Sequence, residues 1–272
     1  MPELPEVQTV VDFLKDQLPN QMIKSVQSPN GYDGVFENGS LKEYQAFLCG
    51  HQILSISRRG KFIIMELDNG FLLFHLRMTG CFMLEIPDTK ELKYVSFQLK
   101  FSNGSKLYFR DTRKFGRAYI CQNLDWLENR LGIEPLSDNL TPLWLFHQIK
   151  QRNRLIKPLL MDQRFIAGLG NIYVDEALWQ AKIHPKTISS RIGKSRCNKL
   201  CIAIQDILNH AIENKGTTII DFNYGRNEKG RFKNKLKVFK RTNEPCPRCS
   251  MPISKMFVSQ RGTHYCKKCQ RA

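Results

Sequence analysis

The sequence predicts an α+β fold: an N-terminal antiparallel β-sandwich with one N-terminal helix, then a helical domain that ends in a metal-held β-hairpin. Three observations predict it. Alternating apolar residues and Asn-Gly turns fill the first half of the chain, apolar residues at helical spacing follow, and two Cys-x-x-Cys motifs lie near the end. We expect a β-sandwich domain at 2–131, a linker at 132–140, a helical domain at 141–240 and a zinc finger at 241–272.

The first half begins with a helix and continues as strands. Helical spacing between positions 5 and 18 is shown by Val7, Val10, Val11, Leu14 and Leu18. The turn signal Asp68-Asn69-Gly70 joins two apolar runs and predicts a hairpin. Apolar alternation over 95–101 predicts a half-buried strand, and Asn103-Gly104 turns it back into the next strand at 106–110.

The second half carries helix signals. Thr141-Pro142 predicts a helix start, because proline is tolerated in the first turn. A further apolar face ends at Lys215-Gly216, and its members are Leu200, Ile204, Ile207, Leu208 and Ala211. Within 155–179, Gly168 and Gly170 permit a sharp bend between two helices. Asn171 is predicted to be the N-cap of the second helix, whose free N–H groups would bind an anion.

The charge balance predicts a polyanionic partner. Lys and Arg number 42 against 25 Asp and Glu among 272 residues, which gives a net charge of +17. Nucleic acid is the commonest partner of such a chain. The apolar runs are too short for a membrane span, so we expect no membrane partner. The N-terminus shows no signal-peptide pattern, and the cysteines do not suggest a disulfide framework, so we expect a cytoplasmic protein.

Four of the nine cysteines have the spacing of a structural zinc site. Cys246 and Cys249 form one Cys-x-x-Cys pair, and Cys266 and Cys269 form the other. Two such pairs can supply four thiolates to one tetrahedral metal and leave no open position. The sequence therefore predicts one structural zinc ion and no catalytic metal. The intervening segment is long enough for a hairpin, with Arg261 near its bend as a candidate phosphate ligand.

The N-terminus offers a candidate nucleophile. Removal of Met1 would expose Pro2 as a secondary amine, whose unprotonated fraction at neutral pH can attack a sugar carbon and form an iminium. Glu3 and Glu6 would supply carboxylates for proton transfer. The plainer interpretation is that Pro2 is merely tolerated and that the two glutamates are first-turn helix charges.

Several sequence blocks resemble the formamidopyrimidine-DNA glycosylase family. They occur in order along nearly the whole chain: Pro2-Glu3-Leu4-Pro5-Glu6-Val7, Arg58-Arg59-Gly60-Lys61, His75-Leu76-Arg77-Met78-Thr79-Gly80, Asp111-Thr112-Arg113-Lys114-Phe115-Gly116, residues 167–179, and Arg261-Gly262-Thr263-His264-Tyr265-Cys266. The resemblance implies a monomeric enzyme that excises oxidised purines from damaged double-stranded DNA and then nicks the abasic strand. It also implies that the helical domain is a helix-two-turn-helix.

The resemblance assigns catalytic roles to residues of this sequence. Pro2 would attack C1′ of the damaged nucleotide, and Glu3 would donate the proton that opens the sugar ring. Glu6 would support the terminal amine. Lys61 matches the family's essential lysine, a proton donor in β-elimination, and Arg261 would hold phosphate and assist δ-elimination.

The resemblance also implies the DNA contacts. Met78, Arg113 and Phe115 match the three residues that fill the gap left by a flipped nucleotide, a set that suits an apolar wedge, a cation and a stacking ring. For Met78 and Phe115, ordinary core packing is the alternative. The positions used for phosphate contact are matched by Arg152, Lys157 and Asn171. The segment 217–230 corresponds to the loop that covers the flipped base.

The sequence departs from the family pattern at a few positions and leaves rivals open. Tyr94 replaces a frequent DNA-contacting histidine, although a phenol still donates a hydrogen bond; Lys233 and Phe239-Lys240 are further departures. One rival is an endonuclease VIII-type enzyme, which prefers oxidised pyrimidines. The other rivals are a catalytically inactive protein that binds distorted duplex DNA and a zinc-ribbon nucleic-acid module, neither of which would use Pro2 as a nucleophile.

Overall fold

A computed structural model of the chain describes residues 2–86, 88–218 and 228–271. The chain divides into two compact units, one made of Met1–Asn129 with Asn214–Arg231 and the other of Arg130–Glu213 with Phe232–Ala272. The predicted α+β fold class is confirmed, with two β-sheets in the first unit and helices with a terminal β-hairpin in the second. Among the described residues, no helix is long and apolar enough to cross a membrane.

The described residues of the first unit form three α-helices and two four-stranded antiparallel sheets. The helices are α1 (Leu4–Leu14), α2 (Leu41–Leu48) and α3 (Asp125–Glu128). The strands are β1 (Ile23–Gln27), β2 (Ile53–Arg59), β3 (Phe62–Leu67), β4 (Gly70–His75), β5 (Cys81–Met83), β6 (Val95–Phe101), β7 (Lys106–Arg110) and β8 (Arg117–Cys121). The strand orders are β1-β6-β7-β5 and β2-β3-β4-β8, so three of the six neighbouring pairs are consecutive in sequence and form hairpins.

A shared apolar core joins α1 to both sheets. Val10, Phe74 and Phe97, from α1 and from the two sheets, are buried in one cluster. The rings of Phe74 and Phe97 meet edge to face with centroids 5.0 Å apart, the arrangement that aromatic quadrupoles favour. This core fixes α1, and with it the N-terminal segment, against the sheets.

Two features of the first unit differ from the expectation. Helix α2 was not predicted, although Ser40 and Glu43 form a capping box at its start, a recognisable helix signal. Strand β6 is buried on both faces, because Ser96 and Gln98 are buried as well as the alternating apolar residues. The Gln98 side-chain amide donates a 3.0 Å hydrogen bond to Gln27 Oε1, which explains how a polar side chain is accommodated there.

The second unit consists of four helices and one hairpin. The helices are α4 (Pro142–Lys150), α5 (Ile156–Met161), α6 (Asn171–Gln180) and α7 (Lys194–Glu213), and the strands are β9 (Ser254–Val258) and β10 (Arg261–Tyr265). Thr141 caps α4 as predicted, since its hydroxyl accepts from the Trp144 N–H at 3.1 Å. Helix α6 is buried along nearly its whole length and packs against α5, α7 and β10.

Candidate functional site

The start of α1 carries two buried carboxylates. Glu3 and Glu6 are 3% and 1% exposed, and Pro2 immediately before them is also buried. Glu6 Oε2 accepts the Glu3 backbone N–H at 2.7 Å, which satisfies one of the free donors at the helix start. Both acids therefore lie in a fixed position directly behind residue 2, rather than on a solvated helix end.

Glu6 also binds the first residue of the predicted covering loop at 217–230. Its Oε1 accepts the Thr217 N–H at 2.7 Å, and Gly216 (φ +75°) approaches so closely that an added Cβ would lie 2.9 Å from the same oxygen. On the returning chain, Gly230 donates its N–H to Thr218 Oγ1 at 2.8 Å. Much of the predicted covering loop at 217–230 lies outside the described residues, but both of its ends are anchored here.

Lys61 lies in a tight hairpin turn that contacts α1. Arg59 pairs with Phe62, so Gly60 and Lys61 form a two-residue loop in which Gly60 has φ +56°. Lys61 is nevertheless only 4% exposed. Arg58 ties the turn to α1, because its Nε donates to Gln8 Oε1 at 2.9 Å and its guanidinium donates to the Gly60 carbonyl at 3.0 Å. The structure thus brings the lysine hairpin to the helix that carries Glu3 and Glu6.

His75 contributes a buried neutral imidazole beside this turn. It pairs with Phe62 across β3 and β4, and its Nδ1 accepts the Arg77 backbone N–H at 3.0 Å. Burial, followed by the nearby charges of Arg77 and Lys61, lowers the His75 pKa to about 3. The ring is therefore an uncharged acceptor at neutral pH.

Two loops present the three predicted duplex-opening residues to solvent. Met78 is 39% and Phe115 45% exposed, which excludes core packing for both side chains. Arg113 is exposed and its guanidinium lies 4.9 Å from the centroid of the Phe115 ring. Asp111 organises both loops: its carboxylate accepts from Thr79 Oγ1, from the Arg113 N–H at 3.1 Å and from the Gly116 N–H at 2.6 Å.

Tyr94 is half-buried at the end of a short 3₁₀ turn ahead of β6. The Lys93 ammonium lies 4.9 Å and the Arg110 guanidinium 5.2 Å from its ring centroid. The Tyr94 carbonyl accepts the Asp111 N–H at 2.8 Å. The residue that departs from the family pattern therefore joins a cationic part of the surface to the loop organised by Asp111.

In the second unit, the prediction that Asn171 is an N-cap is wrong. Gly170 is the N-cap of α6, and Asn171 is its first helical residue. The extended backbone of Gly170 makes the turn, which leaves the Asn171 side chain to donate from Nδ2 to the Gly262 carbonyl at 3.0 Å. Asn171 thus links the start of α6 to the beginning of β10.

Lys157 was predicted to contact a phosphate, but the structure does not place it as a phosphate ligand, because its side chain is fully buried. Its ammonium pairs with Asp175 Oδ1 at 2.7 Å and donates to Thr263 Oγ1 at 2.8 Å. Asp175 Oδ2 accepts the His264 backbone N–H at 2.8 Å. The basic residue in this motif is therefore part of a buried network between α5, α6 and β10.

Arg261 begins β10 at the tip of the terminal hairpin. It pairs with Val258, so Ser259 and Gln260 form a two-residue turn, and both have positive φ, at 46° and 61°. The Arg261 side chain is exposed. Arg152 is half-buried on another part of the unit, donating to Gln148 and lying 5.1 Å from the Phe165 ring centroid.

The four clustered cysteines fit a tetrahedral zinc ion. Their sulfur atoms all lie within 4.8 Å of one another, with Cys249 and Cys266 at 3.4 Å and Cys246 and Cys269 at 4.0 Å. Zinc–sulfur bonds of about 2.3 Å in a tetrahedron require sulfur separations of about 3.8 Å. The Trp179 indole N–H donates to Cys246 Sγ at 3.4 Å. Burial raises the pKa of Cys246, but hydrogen bonds, including one from the Arg248 backbone, outweigh this and lower it to about 6.

These features define a zinc-finger enzyme that acts on nucleic acid. The first unit supplies buried Glu3, Glu6 and Lys61, the second unit supplies the four thiolates, and the chain has a net charge of +17. Family models match three successive parts of the chain: the formamidopyrimidine-DNA glycosylase N-terminal domain over residues 1–118, its H2TH domain over 131–223, and the zinc finger found in FPG and IleRS over 243–272. The chain belongs to the formamidopyrimidine-DNA glycosylase family.

Relatives and solved structures match over the full length. The formamidopyrimidine-DNA glycosylase of Pelotomaculum thermopropionicum is 39% identical, covering 100% of this chain and 99% of the relative, and that of Chloroflexus aurantiacus is 39% identical, covering 99% and 98%. The Lactococcus lactis Fpg bound to abasic-site DNA is 35% identical with a TM-score of 0.91, covering 99% of this chain and 100% of that one. MutM bound to carbocyclic 8-oxo-G DNA matches equally well, at 35% identity and a TM-score of 0.91, with 100% of each chain covered. The chain is thus a DNA glycosylase and AP lyase with one structural zinc site.

Three buried acids were not predicted to have a part in the site. Asp111 organises the two exposed loops, Asp175 anchors β10, and Glu176 accepts three backbone N–H groups from residues 237–239. The signal for the last two was present, since adjacent acids stand in an otherwise apolar helix. Buried carboxylates without partners are costly, so such a pair indicates hydrogen-bonded positions.

Proposed function

We propose that this enzyme excises oxidised purines, such as 8-oxoguanine and formamidopyrimidines, from duplex DNA through a Schiff base on Pro2, and then cleaves the abasic strand by β,δ-elimination. Similar proteins have been solved with carbocyclic 8-oxo-G and with Fapy-dG in DNA. The observation that carries the proposal is the pair of buried carboxylates, Glu3 and Glu6, fixed directly behind Pro2 and tied to the Lys61 hairpin.

The first step needs the free amine of Pro2 after Met1 is removed. The nitrogen lone pair forms a bond to C1′ as the N-glycosidic bond breaks, and the damaged base leaves with the bonding electrons and takes up the proton that the Pro2 nitrogen loses. Glu3 protonates the ring oxygen O4′, and opening of the sugar yields an iminium between Pro2 and C1′. The position of Glu3 supports this role, because it is buried directly beside Pro2 in the sequence.

The iminium is an electron sink for strand cleavage. Loss of a C2′ proton moves electrons toward the iminium and breaks the C3′–O3′ bond, and a second elimination breaks the C5′–O5′ bond. Each step releases a phosphate terminus. We assign Lys61 as the proton donor of the first elimination and Arg261 as the phosphate ligand that assists the second. Glu6 is a positioning residue, which holds the start of α1 and Thr217.

We assign Met78, Arg113 and Phe115 to the gap left by the flipped nucleotide. Their exposure on two loops supports this role, because a side chain must be accessible to enter the base stack. Asp111 would keep the two loops in register. Flipping costs a few kcal/mol, which the inserted side chains would offset.

We assign backbone contacts to Arg261, Arg152, Asn171 and Tyr94. Asn171 supports the phosphate grip by its 3.0 Å hydrogen bond beside Arg261, at Gly262. Lys157 acts only from within, by holding the same strand. The relatives are bacterial, and we propose that the protein works as a monomer on chromosomal DNA in the cytoplasm of a bacterial cell.

The test is borohydride trapping on a duplex with 8-oxoguanine opposite cytosine. We expect a covalent adduct with the native enzyme and none with Pro2→Gly or with a chain that has an extra residue ahead of Pro2, since that residue converts the amine into an amide. Pro5→Ala, which changes the other nearby proline, should still form the adduct. An adduct with the extended chain, or Met1 retained in fully active protein, would overturn the Schiff-base assignment. Faster cleavage of a thymine glycol duplex would overturn the purine preference.

A further inference from the structure

A cavity of about 520 Å³ lies beside the zinc-binding cysteines, and five of its seven lining residues are cationic. Its lining consists of Cys249 and Cys269 together with five cations, Lys182, Arg196, Arg248, Lys268 and Arg271. All of these residues belong to the second unit. Four of the five cations are exposed and Arg196 is half-buried, so the cavity is open to a ligand from solvent.

The cavity lies at the opposite end of the unit from Arg261. Helix α6 and strand β10 run side by side in the same direction, because Asn171 contacts Gly262 and Asp175 contacts His264. Arg248 reaches the far end of α6, donating to the Trp179 carbonyl at 3.0 Å. A helix of this length is about 15 Å long, so one DNA backbone contact at Arg261 does not occupy the cavity.

The positive charge of the cavity exceeds what the zinc site needs. A zinc ion with four thiolates has a net charge of about −2, and five cations surround it here. Arg248 is committed to the end of α6, since its guanidinium also stacks 4.1 Å from the Trp179 ring centroid. Among residues 2–86, 88–218 and 228–271, no carboxylate pairs with the side chains of Lys182, Arg196, Lys268 or Arg271.

We propose that this cavity binds the backbone phosphates of a second DNA segment. Arginine and lysine are the phosphate ligands of proteins. The seven lining residues include no aromatic side chain on which a base could stack, which favours a DNA backbone over a free nucleotide. The enzyme would then hold a lesion duplex at one end of the unit and a neighbouring segment at the other, which would allow transfer between segments.

The experiment uses enzyme trapped by borohydride on a short lesion duplex, so that the catalytic site is filled. A fluorescent undamaged duplex is then titrated into the trapped complex and anisotropy is measured. The test variant is Arg196→Glu with Lys268→Glu. The control is Lys24→Glu with Lys42→Glu, two exposed lysines of the first unit, which removes the same charge. Zinc content and thermal unfolding verify that each variant is folded.

We expect the trapped native complex to bind the second duplex, the control pair to match it within about twofold, and the cavity pair to bind at least about tenfold more weakly. Lesion excision on a short duplex should be unchanged in both pairs. Equal binding by the cavity pair, or no binding by the native complex, would overturn the proposal. So would competition by pyrophosphate without any duplex binding, which would indicate a small-anion site.

This inference rests on the proposed function only in taking DNA as the ligand. The yield of trapping reports on the Schiff base, whereas binding of the second duplex reports on the cavity. If no adduct forms, the number of undamaged duplexes bound per chain answers the same question. Two duplexes for the native enzyme and one for the cavity pair support the proposal, and one for both contradicts it.

Discussion

Single buried acceptors carry much of the organisation around the N-terminus. Glu6 receives the backbone N–H groups of Glu3 and of Thr217, which lies 211 residues further along the chain than Glu6, and Asp111 receives three donors from two loops. Each acid satisfies buried donors that water cannot reach, so its removal leaves them unpaired. The positions of the N-terminal segment and of the two exposed loops therefore depend on these two buried acids.

Glu6→Gln should destabilise the protein by about 1–3 kcal/mol, because an amide presents an NH₂ group to one of the two buried N–H donors. Excision should slow as well, since the start of α1 loses its fixed position. Urea unfolding and single-turnover kinetics measure the two effects. Glu43→Gln is the control: it makes the same substitution in the exposed capping box that begins α2, and it should change the stability much less than Glu6→Gln does. Equal costs for the two variants would contradict the argument.

His75 should make stability fall in mild acid. Its folded pKa is about 3 and its usual value is 6.5, so between these pH values the unfolded chain binds more protons. Stability is therefore complete above pH 6.5 and is lost as the pH falls toward 3. From pH 7 to pH 5 the loss should be about 2 kcal/mol. His75→Gln should remove this loss and His147→Gln, at an exposed histidine, should not, as measured by urea unfolding at both pH values.

At the scale of elements, the buried pair between Lys157 and Asp175 fixes α5, α6 and β10. Lys157→Met should cost about 3–5 kcal/mol, because it leaves the Asp175 charge buried without its partner. Asp175→Asn in the same chain should recover at least half of that loss, since the amide oxygen still accepts from His264. Chemical denaturation of the single and double variants measures this. A single variant that costs less than about 1 kcal/mol would show that the pair is not needed.

Elements governed by local pattern were predicted well, and those governed by burial were not. The hairpin at Asn69-Gly70, the start of α4 and the zinc hairpin follow from turn, cap and cysteine chemistry close in sequence. The burial of Lys157 and the second buried face of β6 depend on contacts far along the chain, which spacing does not report. Asn171 shows the same limit. Gly170 takes the N-cap position, and the Asn171 side-chain amide donates to the distant Gly262 carbonyl instead.

At the scale of the whole molecule, the excess of 17 positive charges predicts DNA binding that weakens steeply with salt. Arg152→Ala and Arg261→Ala should each reduce the slope of log affinity against log salt by about 1. Lys157→Met should weaken binding without changing that slope, since the ammonium is not exposed to a phosphate. Anisotropy titrations at several salt concentrations measure this, with Lys42→Ala as the control. A reduced slope for Lys157→Met would contradict its assignment.

The contacts that hold β10 to α6 do not involve the metal. Gly262 is bound by Asn171 and His264 by Asp175. By contrast, the cysteines of the knuckles at 246–249 and 266–269 would be joined by the zinc ion that they share as ligands. Treatment with a chelator should therefore unfold the metal-binding end of the finger first, while the hairpin tip at Arg261 stays packed against α6. Trypsin should then cut after Lys267 and Lys268 long before it cuts after Arg261, as mass spectrometry of timed digests would show. Simultaneous cutting at all three sites would mean that zinc stabilises the whole finger. An enzyme without zinc would then lose the DNA contact of Arg261 together with the metal end, rather than after it.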